Sequence, residues 1–190
     1  MFTRPGHSVR EFINGKRVGY FSFVSLLLII LAMIHFFGEY ALVSQADLMP
    51  EGGKDAVSGL EEFAKKYPKT LLLLTIPLYS VFSFLWFRKA KLNLTEHFVL
   101  NSYKTVVESL MNLLFVLLTI FYSNIYVLTI IFSLINILLL VYAFWFYKQF
   151  FSAYHYSKTS LILRSLGVIV SYMLFSILFG LILGFIKSRS

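Results

Sequence analysis

The sequence predicts an all-α fold: a polytopic membrane bundle of about five transmembrane helices, with an N-terminal interfacial amphipathic helix. Three observations predict it. Hydrophobic residues make up 58% of the 190-residue chain and charged residues only 14%, against roughly 25% charged in a soluble domain. The apolar residues fall in separate runs, several close to the ~20 residues that cross a bilayer as a helix. The basic residues flank those runs and gather at alternate ends of them. With 21 phenylalanines and a mean hydropathy of +0.78, a water-soluble globule of this size could not hide its apolar surface.

Residues 1–19 form a basic arm. Ser8 and Glu11 have the spacing of a capping box, and Gly15 suits a helix C-terminus. Val9, Phe12 and Ile13 share one face opposite Arg10, Lys16 and Arg17, so a short helix lying on the membrane surface is expected. The membrane domain covers 20–186, and its first span runs over about 20–43. His35 and Glu39 lie four residues apart near its far end, a candidate hydrogen-bonded pair. Two ligands do not make a metal site, and no metal is expected. Ser44-Gln45-Ala46 mimics a signal-peptidase site, but the apolar run before it exceeds the usual ~7–15 residues, so it is expected to stay.

The extramembrane loop 44–68 is the one sizeable aqueous segment, and a short helix at about 54–66 with charges of alternating sign is expected in it. The second span, about 69–87, carries Pro77, which removes a backbone hydrogen bond and is expected to kink it. Asn93 and Glu96 then read as the N-cap and N3 of the next helix, whose spanning part is about 105–122. Ser123-Asn124 leaves a tight turn, so the third span and the fourth, about 125–147, should form an antiparallel hairpin. Asn136 in the fourth span could hydrogen-bond across helices. The cluster YAFWFYKQFFSAYHY after its midpoint reads as an interfacial aromatic belt. In the fifth span, about 161–186, Gly167 and Ser171, then Ser176, Gly180 and Gly184, recur at four-residue spacing. They suit a helix-packing face, within the chain or in a homo-oligomer.

Charge sets the orientation. The arm and the segments 88–104 and 148–164 hold 11 basic residues, and the opposite ends hold 6 together with most of the acids. The positive-inside rule then places the N-terminus in the cytoplasm and, after five spans, the C-terminus outside. A net charge of +8 and a pI near 9.6 would suggest nucleic acid in a soluble protein. Here the charges flank membrane spans, so the expected partners are the bilayer and its anionic headgroups, with no nucleic acid. The absence of cysteine excludes disulfides, thiolate zinc sites and cysteine nucleophiles in this chain.

The strongest functional signal is NLTEHFVLNSYKTVVESLMN, residues 93–112. His97, Asn101, Lys104, Glu108 and Asn112 follow at spacings of 4, 3, 4 and 4 and so share one side of a helix. A charge in hydrocarbon costs about 2.5–3.5 kcal/mol on insertion scales, so this polar stripe should face the bundle interior, with Lys104 and Glu108 paired. It reads either as a structural seam or as a polar path from the cytoplasm. From sequence, Lys104→Met is the costlier change of that pair, because it strands an anion where Glu108→Gln leaves a neutral amide.

The stretches TRPGHSVREFINGKRV, LNLTEHFVLNSY and FYKQFFSAYHYSKTSLILRSL together resemble a bacterial family of small polytopic membrane proteins, a domain of unknown function. Many of its members carry a cysteine-rich zinc-ribbon head. The likeness covers most of the chain and implies a multi-pass protein of a bacterial inner membrane, without implying an activity. Two features depart from it: these residues contain no counterpart of the head, and GYFSF stands where a Lys-Pro is expected near the membrane. The five-span layout also resembles, more distantly, the Yip-type membrane proteins.

No phosphate-binding glycine loop, nucleophile elbow, zincin helix or paired-carboxylate site is legible, and no catalytic residue or cofactor is expected. The expected role is a non-enzymatic scaffold or membrane-organising protein. The alternatives are a small transporter or channel using the stripe and a membrane-embedded enzyme acting on lipid.

Overall fold

The computed structural model describes residues 5–15, 23–48, 63 and 66–187. These are all-helical. Six helices are α1 (Pro5–Ile13), α2 (Phe23–Gly38), α3 (Pro68–Trp86), α4 (Leu94–Phe121), α5 (Ile125–Phe151) and α6 (Lys158–Lys187). Short 3-10 turns stand at Ala46–Leu48 and Arg88–Ala90. Among the described residues, α4, α5 and α6 are each long and apolar enough to cross a membrane, while α2 and α3 hold shorter apolar stretches. Most of the expected 54–66 helix lies outside the described residues, as do Arg4, Lys16 and Arg17 of the arm.

Helix α4 is the centre of the bundle. Asn93 accepts from the Glu96 backbone N–H at 2.8 Å, and the Glu96 carboxylate accepts from Asn93 N–H at 2.7 Å, the reciprocal capping box expected from the sequence. Helices α2 and α3 pack on α4, and α6 packs on both α3 and α5. Residues 122–124 turn the chain back into α5, with the Asn124 side chain capping its N-terminus. Leu27 and Ile30 of α2, Ile76 of α3 and Val106 and Leu113 of α4 make one apolar core. At the far end Val43, Leu48, Phe115 and Leu128 make another, and Leu42 N–H donates to the Thr119 carbonyl at 3.1 Å. This pins the loop after α2 to the end where α4 meets α5.

The structure changes several expectations. Helix α1 begins at Pro5, so Ser8 lies inside it and does not cap it; Gly15, at φ 98°, does close it. The apolar side of α1 packs on protein. Val9 is buried, the Phe12 ring meets Tyr103 edge-on at 5.4 Å, and Arg10 donates to the Phe150 carbonyl at 3.1 Å. Gly6 permits this approach: a Cβ there would lie 2.6 Å from the Phe150 backbone nitrogen. Helix α2 ends at Gly38, short of residue 43, because the chain breaks there to bring Val43 and Leu48 onto the outer core. Pro77, where a kink is expected, lies inside α3, and the helix continues on both sides of it. The expected aromatic belt is largely interior: Phe146, Tyr147, Phe150 and Phe151 are all fully buried, and Phe87 stacks on Phe151 with ring centroids 3.6 Å apart. Asn136 bonds its own helix, donating to the Phe132 carbonyl at 2.8 Å, and among the described residues it bonds no other helix.

Candidate functional site

The stripe of α4 does turn inward, and α3 and α5 supply its partners. His97, Asn101 and Lys104 are fully buried, Glu108 and Asn112 partly. The five residues divide into three groups along the helix.

The first group is a hydrogen-bonded cluster. Asn101 Nδ2 donates to Ser83 Oγ at 2.9 Å and to the His97 carbonyl at 2.7 Å, while Asn101 Oδ1 accepts from the Tyr147 hydroxyl at 2.6 Å. Ser83 Oγ also lies 2.9 Å from His97 Nδ1 and donates to the Ser80 carbonyl at 3.2 Å. A serine hydroxyl has one proton. Spent on Ser80, it leaves Ser83 to accept from both Asn101 and a protonated His97 Nδ1, and this bookkeeping assigns the tautomer. His97 Nε2 then carries a bare lone pair, buried and with no hydrogen-bond partner. Its ring sits between Phe84, edge-on at 5.7 Å, and Phe151, also at 5.7 Å.

The second group is the ion pair. Lys104 Nζ lies 2.6 Å from Glu108 Oε1 and 3.4 Å from the centroid of the Tyr79 ring. The two side chains are unequally covered, Lys104 at 0% exposure and Glu108 at 21%. A cation so buried needs both its carboxylate and its aromatic face. Tyr79 in turn stacks on Tyr172 of α6, with centroids 3.5 Å apart. The third group is a single bond, Gln45 Nε2 to Asn112 Oδ1 at 2.7 Å, which ties the outer loop to α4.

Other expected residues fall elsewhere. His35 is exposed on α2, and Glu39 is exposed in the turn beyond its last residue. The expected His35–Glu39 pair is thus not on one helix, because α2 has ended. Gly167 is a seat for the Trp86 indole, since a Cβ would lie 2.5 Å from the ring, and Trp86 Nε1 donates to Ser171 Oγ at 3.1 Å. That part of the small-residue face packs within the chain. Ser176 lies beside the Tyr172 hydroxyl, Gly180 is buried, and Gly184 falls within α6 with its surroundings outside the described side chains. No three His, Cys, Asp or Glu residues come together as a metal site among the described residues.

Sequence reasoning missed Ser83, Tyr147, Tyr79 and Gln45. Ser80 and Ser83, one turn apart in the mostly apolar second half of α3, were the available signal for Ser83. Tyr147 was hidden in the aromatic cluster. An apolar cavity of about 70 Å³ lies between α4 and α5, lined by Val107, Met111, Ile135, Leu138, Leu139 and Tyr142, none of them in the stripe. The arrangement joins helices through polar groups bonded to one another, with His97 Nε2 left over. No protein-family profile, curated protein or solved structure matches the chain.

Proposed function

We propose that the protein is a five-span membrane protein of a bacterial cell membrane, with its N-terminus cytoplasmic and its C-terminus outside. It acts as a non-enzymatic scaffold or membrane-organising protein whose basic end meets anionic headgroups. The observation that carries this reading is the distribution of charge over the bundle. Arg88, Lys89, Lys91, Lys148 and Lys158 are exposed, and they cluster by connectivity at the end where α1 docks on α5. At the other end Glu39 and Asp47 are exposed, with Lys66 the exposed base among the described residues there. A one-sided basic rim on an apolar bundle is what an anionic leaflet attracts, at about 1 kcal/mol per basic residue near the surface. Helices α2 and α3 support the count of five, since both are apolar and pack on α4. The likeness of the motifs to small bacterial multi-pass proteins points the same way.

In this reading the stripe is an internal lock, holding α3, α4 and α5 in register at the basic end. The test is native mass spectrometry of the protein released from mixed anionic and zwitterionic bilayers. Preferential retention of anionic lipid, reduced by Arg88→Gln/Lys89→Gln/Lys91→Gln, is expected. Equal retention of both lipids by parent and variant would overturn the basic-face assignment.

A further inference from the structure

Helix α5 is long, apolar and poorly covered: 11% of its most apolar stretch is buried inside the chain, against 39% for α4. Its uncovered surface is not uniformly apolar. Thr129 is partly exposed, and Ser133 and Asn136 are exposed. Each turns back onto its own helix, Thr129 to the Ile125 carbonyl at 2.8 Å, Ser133 to that of Thr129 at 2.8 Å, and Asn136 to that of Phe132 at 2.8 Å. This satisfies one proton on each. It leaves the Asn136 carboxamide oxygen and second N–H without a hydrogen bond among the described residues.

Asn136 lies about 16 Å along α5, at ~1.5 Å per residue, and so near the middle of a hydrocarbon layer of about 30 Å. Lipid tails offer it no donor and no acceptor, so a polar partner must come from another helix. The neighbouring residues show how one would fit. Tyr126, Thr129, Ser133, Asn136 and Leu140 follow at spacings of 3, 4, 3 and 4, the repeat of a seam along which two helices cross at a shallow angle. Tyr126 and Leu140 are exposed at 77% and 41%, so among the described residues neither end of the seam is closed over.

We infer that α5 is a self-association surface and that the partner is the α5 of a second copy of this chain. A carboxamide is both donor and acceptor and is therefore its own complement. Two copies inserted in the same sense place their α5 helices parallel about a two-fold axis along the membrane normal. Each seam residue then meets its own equivalent, Asn136 against Asn136. Exposed Ile137 and Val141 flank the line and add apolar contact. The small-residue face of α6 is not the interface at Gly167 and Ser171, because Trp86 of the same chain occupies it.

The inference rests on α5 crossing the membrane, and the test separates the two. The cysteine-free chain takes single cysteines at Thr129, Ser133 and Leu140 on the seam, and at Leu138 on the opposite exposed side. Each variant is reconstituted in lipid and exposed to a mild oxidant. Disulfide-linked dimers several-fold more abundant at the seam positions than at Leu138 are expected. Adding Asn136→Leu to Ser133→Cys should weaken dimerisation about three- to twenty-fold, the range for interhelical polar contacts, whereas Asn136→Gln should restore it. Equal yields on and off the seam, no effect of Asn136→Leu, or cross-links only to a different membrane protein would each overturn the inference. If Ser133→Cys in intact vesicles is labelled by a water-soluble maleimide, the membrane placement of α5 itself fails. If it is protected yet uncross-linked, only the self-association fails.

Discussion

Replacing Asn101 by leucine tests whether the stripe locks the bundle. The two side chains share the same number and branching of heavy atoms, although the leucine methyls are bulkier, so hydrogen bonding changes most. Asn101 is fully buried and makes three side-chain hydrogen bonds, at 2.6, 2.7 and 2.9 Å. Two of the groups it leaves have other partners, since Ser83 keeps His97 and Ser80, and the His97 carbonyl lies inside α4, where the backbone N–H four residues on serves it. The Tyr147 hydroxyl does not: it is fully buried and its one hydrogen-bond acceptor is removed. Stranding such a group costs about 1–3 kcal/mol, and the other lost bonds add about 1 kcal/mol net. Asn101→Leu should therefore destabilise by about 2–4 kcal/mol, and Tyr147→Phe by about 1–2 kcal/mol, because the latter leaves only an acceptor unpaired. The double variant should cost less than the sum, with a coupling of about 1–2 kcal/mol. Thermal unfolding in one detergent, followed by near-ultraviolet circular dichroism, measures all four proteins. The Asn101→Leu midpoint should drop by on the order of 10 °C. A midpoint equal to the parent's, or strictly additive costs, would refute the reasoning, because Asn101 and Tyr147 would then not share a buried bond.

Three further outcomes follow from the packing. Burial reverses the order that the sequence suggests for the ion pair: Glu108→Gln strands a fully covered ammonium against an amide and the Tyr79 ring, at about 3 kcal/mol, while Lys104→Met leaves a carboxylate that is 21% exposed, at about 2 kcal/mol. Melting the single and double variants checks this, and the double should recover part of the loss. Gly167→Val should displace the Trp86 indole and break its bond to Ser171, shifting tryptophan emission and lowering the melting point, while Gly180→Ala, away from that ring, should leave the emission unchanged. Gly6→Val should push α1 off the α5 backbone, and limited proteolysis should then cut the arm faster with the rest of the chain intact.

Much of the fold was legible because hydropathy and capping act locally. The Asn93–Glu96 box, the 122–124 turn and the inward-facing stripe all rest on spacing within one segment. What was not legible depends on contacts distant in sequence. The true end of α2 is set by a core that joins Val43 to Phe115 and Leu128. Tyr147 looked like a membrane-surface aromatic because nothing in its own segment shows that Asn101, 46 residues earlier, accepts its proton. Likewise the greater burial of Lys104 over Glu108 comes with Tyr79 on another helix, so residue types alone suggest the opposite order of cost to the one the packing predicts.

The most direct measurement is a labelling map of single cysteines in intact right-side-out vesicles, using an impermeant maleimide on Asn14→Cys, Leu42→Cys, Lys89→Cys, Ser123→Cys, Ala153→Cys and Ser190→Cys. Strict alternation is expected. Positions 42, 123 and 190 label from outside, and 14, 89 and 153 label only after the membrane is opened. Labelling of 89 and 153 from outside, or a protected position 190, would contradict a five-span bundle with its basic end in the cytoplasm.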